Sequence, residues 1–340
     1  MRSEEMAEDK VETFFKQMDE STELLQRSLR SSYLDALIEN GNNLVQHRVQ
    51  VEDGLPDAAD QAKLQTIYAQ MDLAGLSNDQ IRQAFQLSVL KGMRDLKVEA
   101  NKQMTPDTLG YLMAFLVETL TTLHNGDALL DVAVGTGNLL TTVENQLRQN
   151  LKLDIKGYGI DNDEDLLELA SISSALQHLP VELFHQDAID PLVVSKAAVA
   201  ISDLPVGYYP LDKRVQKYQT KADKGHSFAH HLLIEQSMRY LTEDGFGFFL
   251  VPSKLFDSEQ AQIFMQWMKD NVYLQGFLNL PKSLFHSEET QKAILILQKK
   301  GPQAKQVKEV LLGEFPDFTD QKAFARYTAE IRQWKAQNLN

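Results

Sequence analysis

The chain of 340 residues contains no cysteine. Disulfides, thiolate metal sites and cysteine nucleophiles are therefore excluded together. Long apolar runs are missing as well, since none reaches the roughly 20 residues that a membrane-spanning helix needs. The opening stretch MRSEEMAEDK is acidic and has no apolar segment, so we do not expect it to be a secretory signal. These absences predict a cytoplasmic protein without a membrane partner.

Basic residues are outnumbered by acidic ones, since 34 Lys and Arg against 48 Asp and Glu leave a net charge of −14. That balance argues against a protein that wraps nucleic acid over much of its surface. One segment, LDKRVQKYQTKADKGH at 211–226, departs from it. Its basic side chains are Lys213, Arg214, Lys217, Lys221 and Lys224. Two interpretations remain open, a solvated loop or a loop that contacts phosphates of nucleic acid.

The first hundred residues have the pattern of helices, with apolar positions recurring mostly at spacings of three and four. A helix is expected around 62–73. Ser77 and Gln80 form a capping box for another helix over 81–93. No residue in this stretch forms a chemical motif. We therefore predict a helical accessory domain at 1–100.

From about residue 103 short apolar strands alternate with amphipathic helices. The first helix of this part is expected to have Thr105 as its N-cap. Strands are predicted at 128–134, 156–160, 181–185, 197–202, 245–251, 274–280 and 292–298. Helices are predicted near 138–149, 163–177, 226–242 and 257–271. The alternation predicts an α/β domain at 101–340 with a doubly wound, mostly parallel sheet. The last two strands have no full helix between them, so the sheet is expected to end in an antiparallel pair.

The loop DVAVGTGNLL follows the first strand, where ligands of open α/β sheets bind. Asp131 lies near the strand end, and Gly135 and Gly137 allow the backbone to approach a ligand closely. The following helix offers free N–H groups to a carboxylate. Leu140 occupies the third position of a dinucleotide fingerprint, so the pattern is D-x-x-x-G-x-G instead.

Acidic residues also end the next two strands. Asp161, in GYGIDND, can accept hydrogen bonds from both hydroxyls of a ribose. Asp161 and Asp163 are alternative caps for the next helix, and we assign the cap to Asp163 and the ligand to Asp161. Asp187, in HQDAID, is either an acceptor for an adenine amino group or a turn residue.

These stretches resemble a known family in their order along the chain. The matching blocks are QMTPDTLGYLM, DVAVGTGNLL, GYGIDND, HQDAID, SDLPVGYYP, GFGFFLVPSKLF and GFLNLPKSLFHSEETQKAILILQKK. The chain resembles the S-adenosylmethionine-dependent adenine-amino (N6) DNA methyltransferases over roughly residues 100–300. Its likeness is nearest to modification subunits of type I restriction systems and to the stand-alone YtxK-like proteins of Gram-positive bacteria. The resemblance implies a class I methyltransferase sheet of strand order 3-2-1-4-5-7-6.

The resemblance also implies roles for the residues of these blocks. Thr105 would help to hold the methionine carboxylate of S-adenosylmethionine, and Asp131 would bind its amino group. Gly135 and Gly137 would lie against that moiety. Asp161 would hold the ribose and Asp187 the adenine. The methyl-transfer site would be formed by Asp203, Leu204, Pro205 and Tyr208.

The turn SDLPVGYYP fits catalysis on an exocyclic amine. The Asp203 carboxylate and the Leu204 carbonyl can accept the two amine hydrogens, which localises the nitrogen lone pair, and Pro205 fixes the turn. The family pattern has two prolines and an aromatic residue after the acid, whereas this chain has Leu204 and Val206 there. Tyr208 or Tyr209 would then have to supply the face on which a flipped base stacks.

Three readings of the function follow from this. The first is methyl transfer to adenine in nucleic acid, and the second is a cofactor-binding regulatory or interaction protein with a degenerate catalytic turn. The third is methylation of RNA or protein. The C-terminal residues 301–340 offer no target-recognition domain, so reading a DNA sequence would need a partner subunit.

Three histidines in GHSFAHH could suggest a metal site. They are His226, His230 and His231. Without cysteine or a nearby carboxylate pair we expect no metal there. We expect instead that they begin a helix packed under the catalytic turn.

Overall fold

The computed structural model describes residues 2–95, 104–285 and 287–339. The helices are α1 Arg2–Leu29, α2 Tyr33–Gln46, α3 Ala58–Gln70, α4 Asn78–Asp95, α5 Asp107–Leu120, α6 Asn138–Leu151, α7 Glu164–Leu176, α8 Ala229–Arg239, α9 Ala261–Asn271 and α10 Gln321–Asn338. The strands are β1 Ala128–Asp131, β2 Lys156–Asp161, β3 Val181–His185, β4 Ala197–Asp203, β5 Leu241–Pro252, β6 Val272–Asn279, β7 Lys292–Lys299 and β8 Leu311–Glu314. The expected domain boundary between residues 100 and 101 lies outside the described residues.

The strands form one mixed sheet in the order β3-β2-β1-β4-β5-β7-β6-β8. Neighbouring strands are parallel from β3 to β5, whereas β7 runs antiparallel to both β5 and β6. This confirms the expected order and the antiparallel pairing near the end of the chain. The sequence analysis missed β8, which is only four residues long and pairs in parallel with β6 at the sheet edge.

The strands of this sheet pack side chains on both faces, because successive residues of a strand point in opposite directions. Leu129 of β1 and Phe248 of β5 pack on the face that carries α5, α6 and α10. Their neighbours Leu130 and Phe249 pack on the other face against α8 and α9. The near-continuous apolar strands of the sequence reflect this burial on both faces.

The N-terminal helices pack on α7, a helix of the sheet region. Phe14, Leu37 and Phe85 share one apolar cluster with Ile172. Gly41 lies at the crossing of α2 and α7, where a Cβ would stand 2.4 Å from Cγ2 of Ile172. The helical region is therefore joined to the sheet region by a closely packed contact. No helix within the described residues is both long enough and apolar enough to cross a bilayer.

Two details near the site differ from the sequence-based expectation. Helix α5 begins at Asp107 with Pro106 as its cap residue, so the expected N-cap at Thr105 is wrong. The Thr105 hydroxyl instead donates to Asp203, a contact across 98 positions of chain that no local pattern reveals. Strand β1 ends at Asp131, and the expected strand residues 132–134 belong to the turn that precedes α6.

Candidate functional site

The acidic residues of the predicted site end neighbouring strands. Asp161 is the last residue of β2, Asp131 of β1 and Asp203 of β4, and these strands are adjacent in the sheet. The carboxyl ends of parallel strands meet at the same edge, so three carboxylates lie at one edge of the sheet. Asp187 follows β3, the next strand outward. The structure thus brings all four predicted acids to one edge.

Asp131 is 1% exposed and is held at its strand end by short hydrogen bonds. Its Oδ1 accepts from Ser202 Oγ at 2.7 Å and from the Ala133 backbone N–H at 3.0 Å. Burial raises the pKa of Asp131 to about 7. The two hydrogen bonds lower this pKa, whereas the nearby charges of Asp161 and Asp203 raise it further. A cationic group in the cleft would stabilise the ionised form of Asp131.

The glycine turn after β1 depends on left-handed backbone at two positions. Gly135 has φ 51° and Gly137 has φ 76°. A Cβ at Gly137 would stand 3.0 Å from Cβ of Ala170, so this position is also closely packed. The space around the missing Cβ of Gly135 is open, which leaves room for a ligand to approach the backbone.

Asp161 supports this turn from the neighbouring strand. Its Oδ2 accepts from the Gly135 backbone N–H at 2.8 Å, and its Oδ1 accepts from that of Asp163 at 3.0 Å. Burial raises the pKa of Asp161 above its usual range. The prediction that Asp163 caps the following helix is confirmed, since its side chain accepts from the Leu166 N–H. Asp161 thus remains beside the glycine turn.

Asp187 joins the basic segment to the sheet edge. Its Oδ2 accepts from the Tyr209 hydroxyl at 2.6 Å and from Arg214 Nη1 at 2.8 Å. The other end of the Arg214 guanidinium reaches Asp190 at 2.7 Å. Arg214 is therefore engaged by two carboxylates, whereas Lys213, in the same segment, is an exposed side chain.

The Asp203 carboxylate has a donor on each oxygen. Thr105 Oγ1 donates to Oδ2 at 3.0 Å, and Lys292 Nζ forms an ion pair with Oδ1. Lys292 is the first residue of β7, which runs antiparallel to β5 and therefore begins at the edge where β4 ends. No pattern in the sequence singled out Lys292. The predicted antiparallel direction of this strand was the one signal that could have located it.

The residues after Asp203 form a turn held from below. Leu204 is 1% exposed and packs in the core, and its N–H donates to Leu250 of β5 at 3.2 Å. The Pro205 carbonyl accepts a hydrogen bond from the buried His230 ring. The turn is thereby fixed between β5 and α8, while Val206 is exposed at its tip.

Tyr208 presents an aromatic ring at this turn and is 53% exposed. The ring stacks on Phe228 with centroids 4.7 Å apart and an interplanar angle of 13°. Its hydroxyl donates to Glu259 at 3.1 Å. Tyr209 instead turns toward Asp187, so Tyr208 is the tyrosine of the pair with the more exposed ring.

His230 and His231, at the start of α8, are buried beneath the turn that follows Asp203, as predicted. His226 departs from the prediction, because it precedes the helix, is exposed and contacts Asp212 at 2.9 Å. Burial lowers the pKa of His230 to about 4 and that of His231 to about 3, so both rings are neutral near pH 7. The His231 ring stacks on Phe264 at 4.4 Å. His230 and His231 are therefore packing residues beneath the turn.

Arg82 of α4 is a second residue that the sequence analysis missed. It is 1% exposed and reaches from the helical region to Asp107 at 2.7 Å and to Asn138 at 2.9 Å. Asn138 is the first residue of α6, directly after the glycine turn. No pattern within α4 distinguishes Arg82 from the surface arginine that a polar helix position usually carries.

Family comparisons agree with this arrangement of strand ends and glycine turn. Residues 93–329 match the N-6 DNA methylase family, and residues 12–93 match the YtxK N-terminal helical domain. The chain belongs to the N-6 DNA methylase family. The four strand-end acids lie within the range matched to this methylase family, whereas Arg82 lies in the matched helical domain.

Two proteins are similar to this chain over nearly their full lengths. YtxK of Bacillus subtilis, a protein described as uncharacterised, is 39% identical over 331 residues, which are 97% of this chain and 98% of that protein. A candidate class I S-adenosylmethionine-dependent methyltransferase of Listeria monocytogenes has a structure with a TM-score of 0.88 and 39% identity. The match covers 96% of this chain and 99% of the Listeria chain.

A third similarity supports the fold alone. The methyltransferase subunit of a type I restriction-modification system from Streptococcus thermophilus has a TM-score of 0.64 at 15% identity. The match covers 92% of this chain and 73% of that subunit. The sheet of this N-6 DNA methylase family member is therefore shared with a subunit whose sequence has diverged widely.

Proposed function

We propose that this protein is an S-adenosylmethionine-dependent N-methyltransferase whose acceptor is the exocyclic amine of adenine in nucleic acid. The observation that carries the proposal is the position of Asp203. It ends β4 beside Asp131 and Asp161, at the edge where the glycine turn leaves room for a ligand. We also propose that residues 1–100 form a helical domain and that residues 101–340 form the methyltransferase domain.

The cofactor fits the residues at the adjacent strand ends. Asp131 is a buried carboxylate that a cationic amino group would stabilise, and Gly135 has open space where a side chain would stand. Asp161 would accept hydrogen bonds from ribose hydroxyls on the oxygen lone pairs that its backbone donors leave free. Asp187 would take the adenine amino group. When bound, the cofactor supplies a methyl group on a cationic sulfur.

Thr105 links this cofactor region to the acceptor region. We assign it to the methionine carboxylate, as the resemblance implies. Its hydroxyl donates to Asp203, so its backbone is held at the cleft by the same contact that orients the catalytic carboxylate. Thr105 would thereby help to keep the cofactor and the acceptor amine at a fixed distance from each other.

Asp203, Leu204 and Pro205 would act on the acceptor amine. The Asp203 carboxylate and the Leu204 carbonyl would accept the two N–H hydrogens, which turns the nitrogen lone pair away from the aromatic ring. Hydrogen bonds to an ionised acceptor are roughly twice as strong as neutral ones, so Asp203 carries most of this effect. Pro205 would fix the direction of the Leu204 carbonyl.

Tyr208 would take the place of the aromatic residue that Val206 replaces. Its ring is the exposed member of a stacked pair with Phe228, which holds the ring in a fixed orientation. An aromatic face of this kind suits an adenine that has left its stack in nucleic acid. Contacts to phosphates would come from the lysines of residues 211–226, and sequence reading would come from a partner subunit.

A second candidate is a regulatory or interaction protein that binds the cofactor without transferring its methyl group. The observation that favours it is the ion pair between Lys292 and Asp203, which occupies the oxygen that would receive the acceptor amine. Leu204 and Val206 depart from the family pattern at the same turn. Methylation of RNA or protein by the same residues is the third reading.

The experiment that tests the proposal measures cofactor binding and transfer separately. We expect calorimetry to detect S-adenosylmethionine and not NAD, and Asp161→Ala to weaken binding by roughly 1.5–3 kcal/mol, as for other hydrogen bonds to charged groups. Mass-spectrometric nucleoside analysis of cells with and without the protein should show N6-methyladenine only when it is present. Binding without any methylated nucleoside would favour the regulatory reading, and preferential binding of NAD would contradict the proposal.

A further inference from the structure

Arg82 is a buried arginine that joins the helical region to the cofactor edge of the sheet. Its guanidinium donates to Asp79 at 2.8 Å within α4 and to both carboxylate oxygens of Asp107, at 2.7 and 3.0 Å. It also donates to the Asn138 side chain at 2.9 Å and to the Tyr111 hydroxyl at 3.1 Å. A planar guanidinium can hold several acceptors at fixed angles, which a lysine cannot do.

Asn138 continues the contact toward the catalytic turn. Its Nδ2 donates to the Thr105 carbonyl at 2.8 Å and to Asp107 Oδ1 at 3.0 Å. The Thr105 hydroxyl then donates to Asp203 at 3.0 Å. One chain of hydrogen bonds therefore runs from Arg82 through Asn138 and Thr105 to Asp203.

Arg82 does not have the properties of a ligand-binding residue. It is 1% exposed, and its donors are taken by Asp79, Asp107, Asn138 and Tyr111. Its charge is also compensated by the two aspartates, so it would not attract the cofactor carboxylate. Arg82 can therefore affect the site only by fixing the position of Asn138, which begins the helix after the glycine turn.

We propose that Arg82 is a positioning residue, through which the helical region fixes the positions of the residues at the cofactor site. This inference rests on the proposed function. By fixing the Asn138 side chain, Arg82 holds the Thr105 backbone against the start of α6. The free N–H groups of α6 and the Thr105 segment then face the cofactor carboxylate in one arrangement. The helical region is thereby part of the cofactor site, although it contributes no group that touches the cofactor.

The test compares Arg82→Lys with Lys91→Met, a change in the same helix. Lys91 pairs with Asp19 and Glu23 within the helical region, so its loss weakens that region without reaching Asn138. We expect Arg82→Lys to raise the dissociation constant of S-adenosylmethionine roughly tenfold or more, because Asn138 and the Thr105 backbone lose their fixed positions. Lys91→Met should lower the melting temperature, since it breaks two ion pairs within the helical region, and it should leave that constant within about twofold of the wild type.

A double-variant cycle separates positioning from general stability. Adding Asn138→Ala to Arg82→Lys should cost little more affinity than either change alone, because both break the same chain of contacts. Asn138→Ala alone leaves the Arg82 ion pairs in place and serves if Arg82→Lys does not fold. Unchanged affinity in both single variants, or fully additive losses, would overturn the inference and leave the proposed function standing. A wild-type protein that does not bind S-adenosylmethionine would overturn both.

Discussion

Asp203 is the residue on which the two principal readings of the function diverge. We expect Asp203→Ala to reduce methyl transfer by roughly 10²- to 10³-fold, the range for loss of one preorganised hydrogen-bonding group at the reacting atom. Affinity for S-adenosylmethionine should fall far less than transfer, because Asp203 acts on the amine and reaches the cofactor only through its contact with Thr105. Radiolabelled methyl transfer to DNA and calorimetry measure the two effects separately.

The control for this change is the double variant Asp203→Ala/Lys292→Met. The single variant leaves the Lys292 ammonium, whose side chain is 25% exposed, without its carboxylate. If the double variant restores the melting temperature and transfer remains absent, the loss belongs to the chemistry of Asp203. A cellular phenotype indifferent to Asp203 would instead support the regulatory reading.

Glu144 gives a prediction about stability and pH. Both of its carboxylate oxygens are buried without a hydrogen-bond partner, and burial raises its pKa to about 8, with Arg148 opposing and Asp154 adding to the shift. The folded state therefore keeps this proton at pH values where the unfolded chain, with a pKa of 4.5, has lost it. The contribution of this proton to the free energy of unfolding is complete below about pH 4.5. It is lost as the pH rises toward about 8, by about 1.4 kcal/mol per pH unit.

We expect Glu144→Gln to remove this pH dependence. Its free energy of unfolding, relative to the wild type, should increase from about pH 5 to about pH 8 and then level off. Urea denaturation across that range measures the difference. Glu330→Gln is the control for the removal of one carboxylate, since the Glu330 side chain is 59% exposed. A difference independent of pH would show that Glu144 is ionised in the folded protein.

Among the elements, the basic segment at 211–226 has side chains in two different situations. Arg214 is tied to Asp187 and Asp190 and so helps to hold the segment on the sheet edge. Lys213 and Lys224 are exposed. The division is thus between an arginine engaged by carboxylates of the protein and two lysines exposed to solvent.

The salt dependence of DNA binding tests that division. If both lysines contact phosphates, Lys213→Ala/Lys224→Ala should flatten the slope of log K against log salt by about 1.8, at about 0.9 per phosphate. Lys63→Ala, which removes a charge paired with Asp60 on α3, should leave the slope unchanged. Equal slopes for all three proteins would return the segment to the interpretation of a solvated loop.

At the scale of the whole molecule, the C-terminal part of the chain consists of one short edge strand and one helix. Residues 311–314 form the edge strand β8, and α10 packs against the sheet through the buried Ile331. The Trp334 indole N–H donates to the Glu309 carbonyl at 2.7 Å, which fixes the end of the helix. These elements complete the sheet domain.

We therefore expect the chain alone to bind DNA without regard to sequence. Competition between unrelated duplexes of equal length should give dissociation constants within about twofold, because phosphate contacts carry no base information. The duplexes should be compared at one salt concentration, since affinity changes steeply with salt. A preference of tenfold or more would locate base-reading side chains within this chain and contradict the need for a partner subunit.

The local pattern of the sequence was sufficient for the elements and for the acids at their ends. Strand spacing and apolar runs predict seven of the eight strands found in the described residues, because burial on both faces of a sheet requires continuous apolar residues. Acidic residues directly after such strands are placed at one edge by topology alone. The predicted capping box of Ser77 and Gln80 also forms, since a cap depends only on neighbours in the chain.

Contacts between distant parts of the chain needed the folded structure. Lys292 meets Asp203 because an antiparallel strand begins where a parallel one ends, and Arg82 meets Asn138 because α4 packs near the head of α6. Thr105 does not cap the helix as expected, because its hydroxyl donates to Asp203, almost a hundred residues away in the chain. Sequence periodicity reports which face of an element is buried, whereas the identity of the side chain opposite depends on how elements pack.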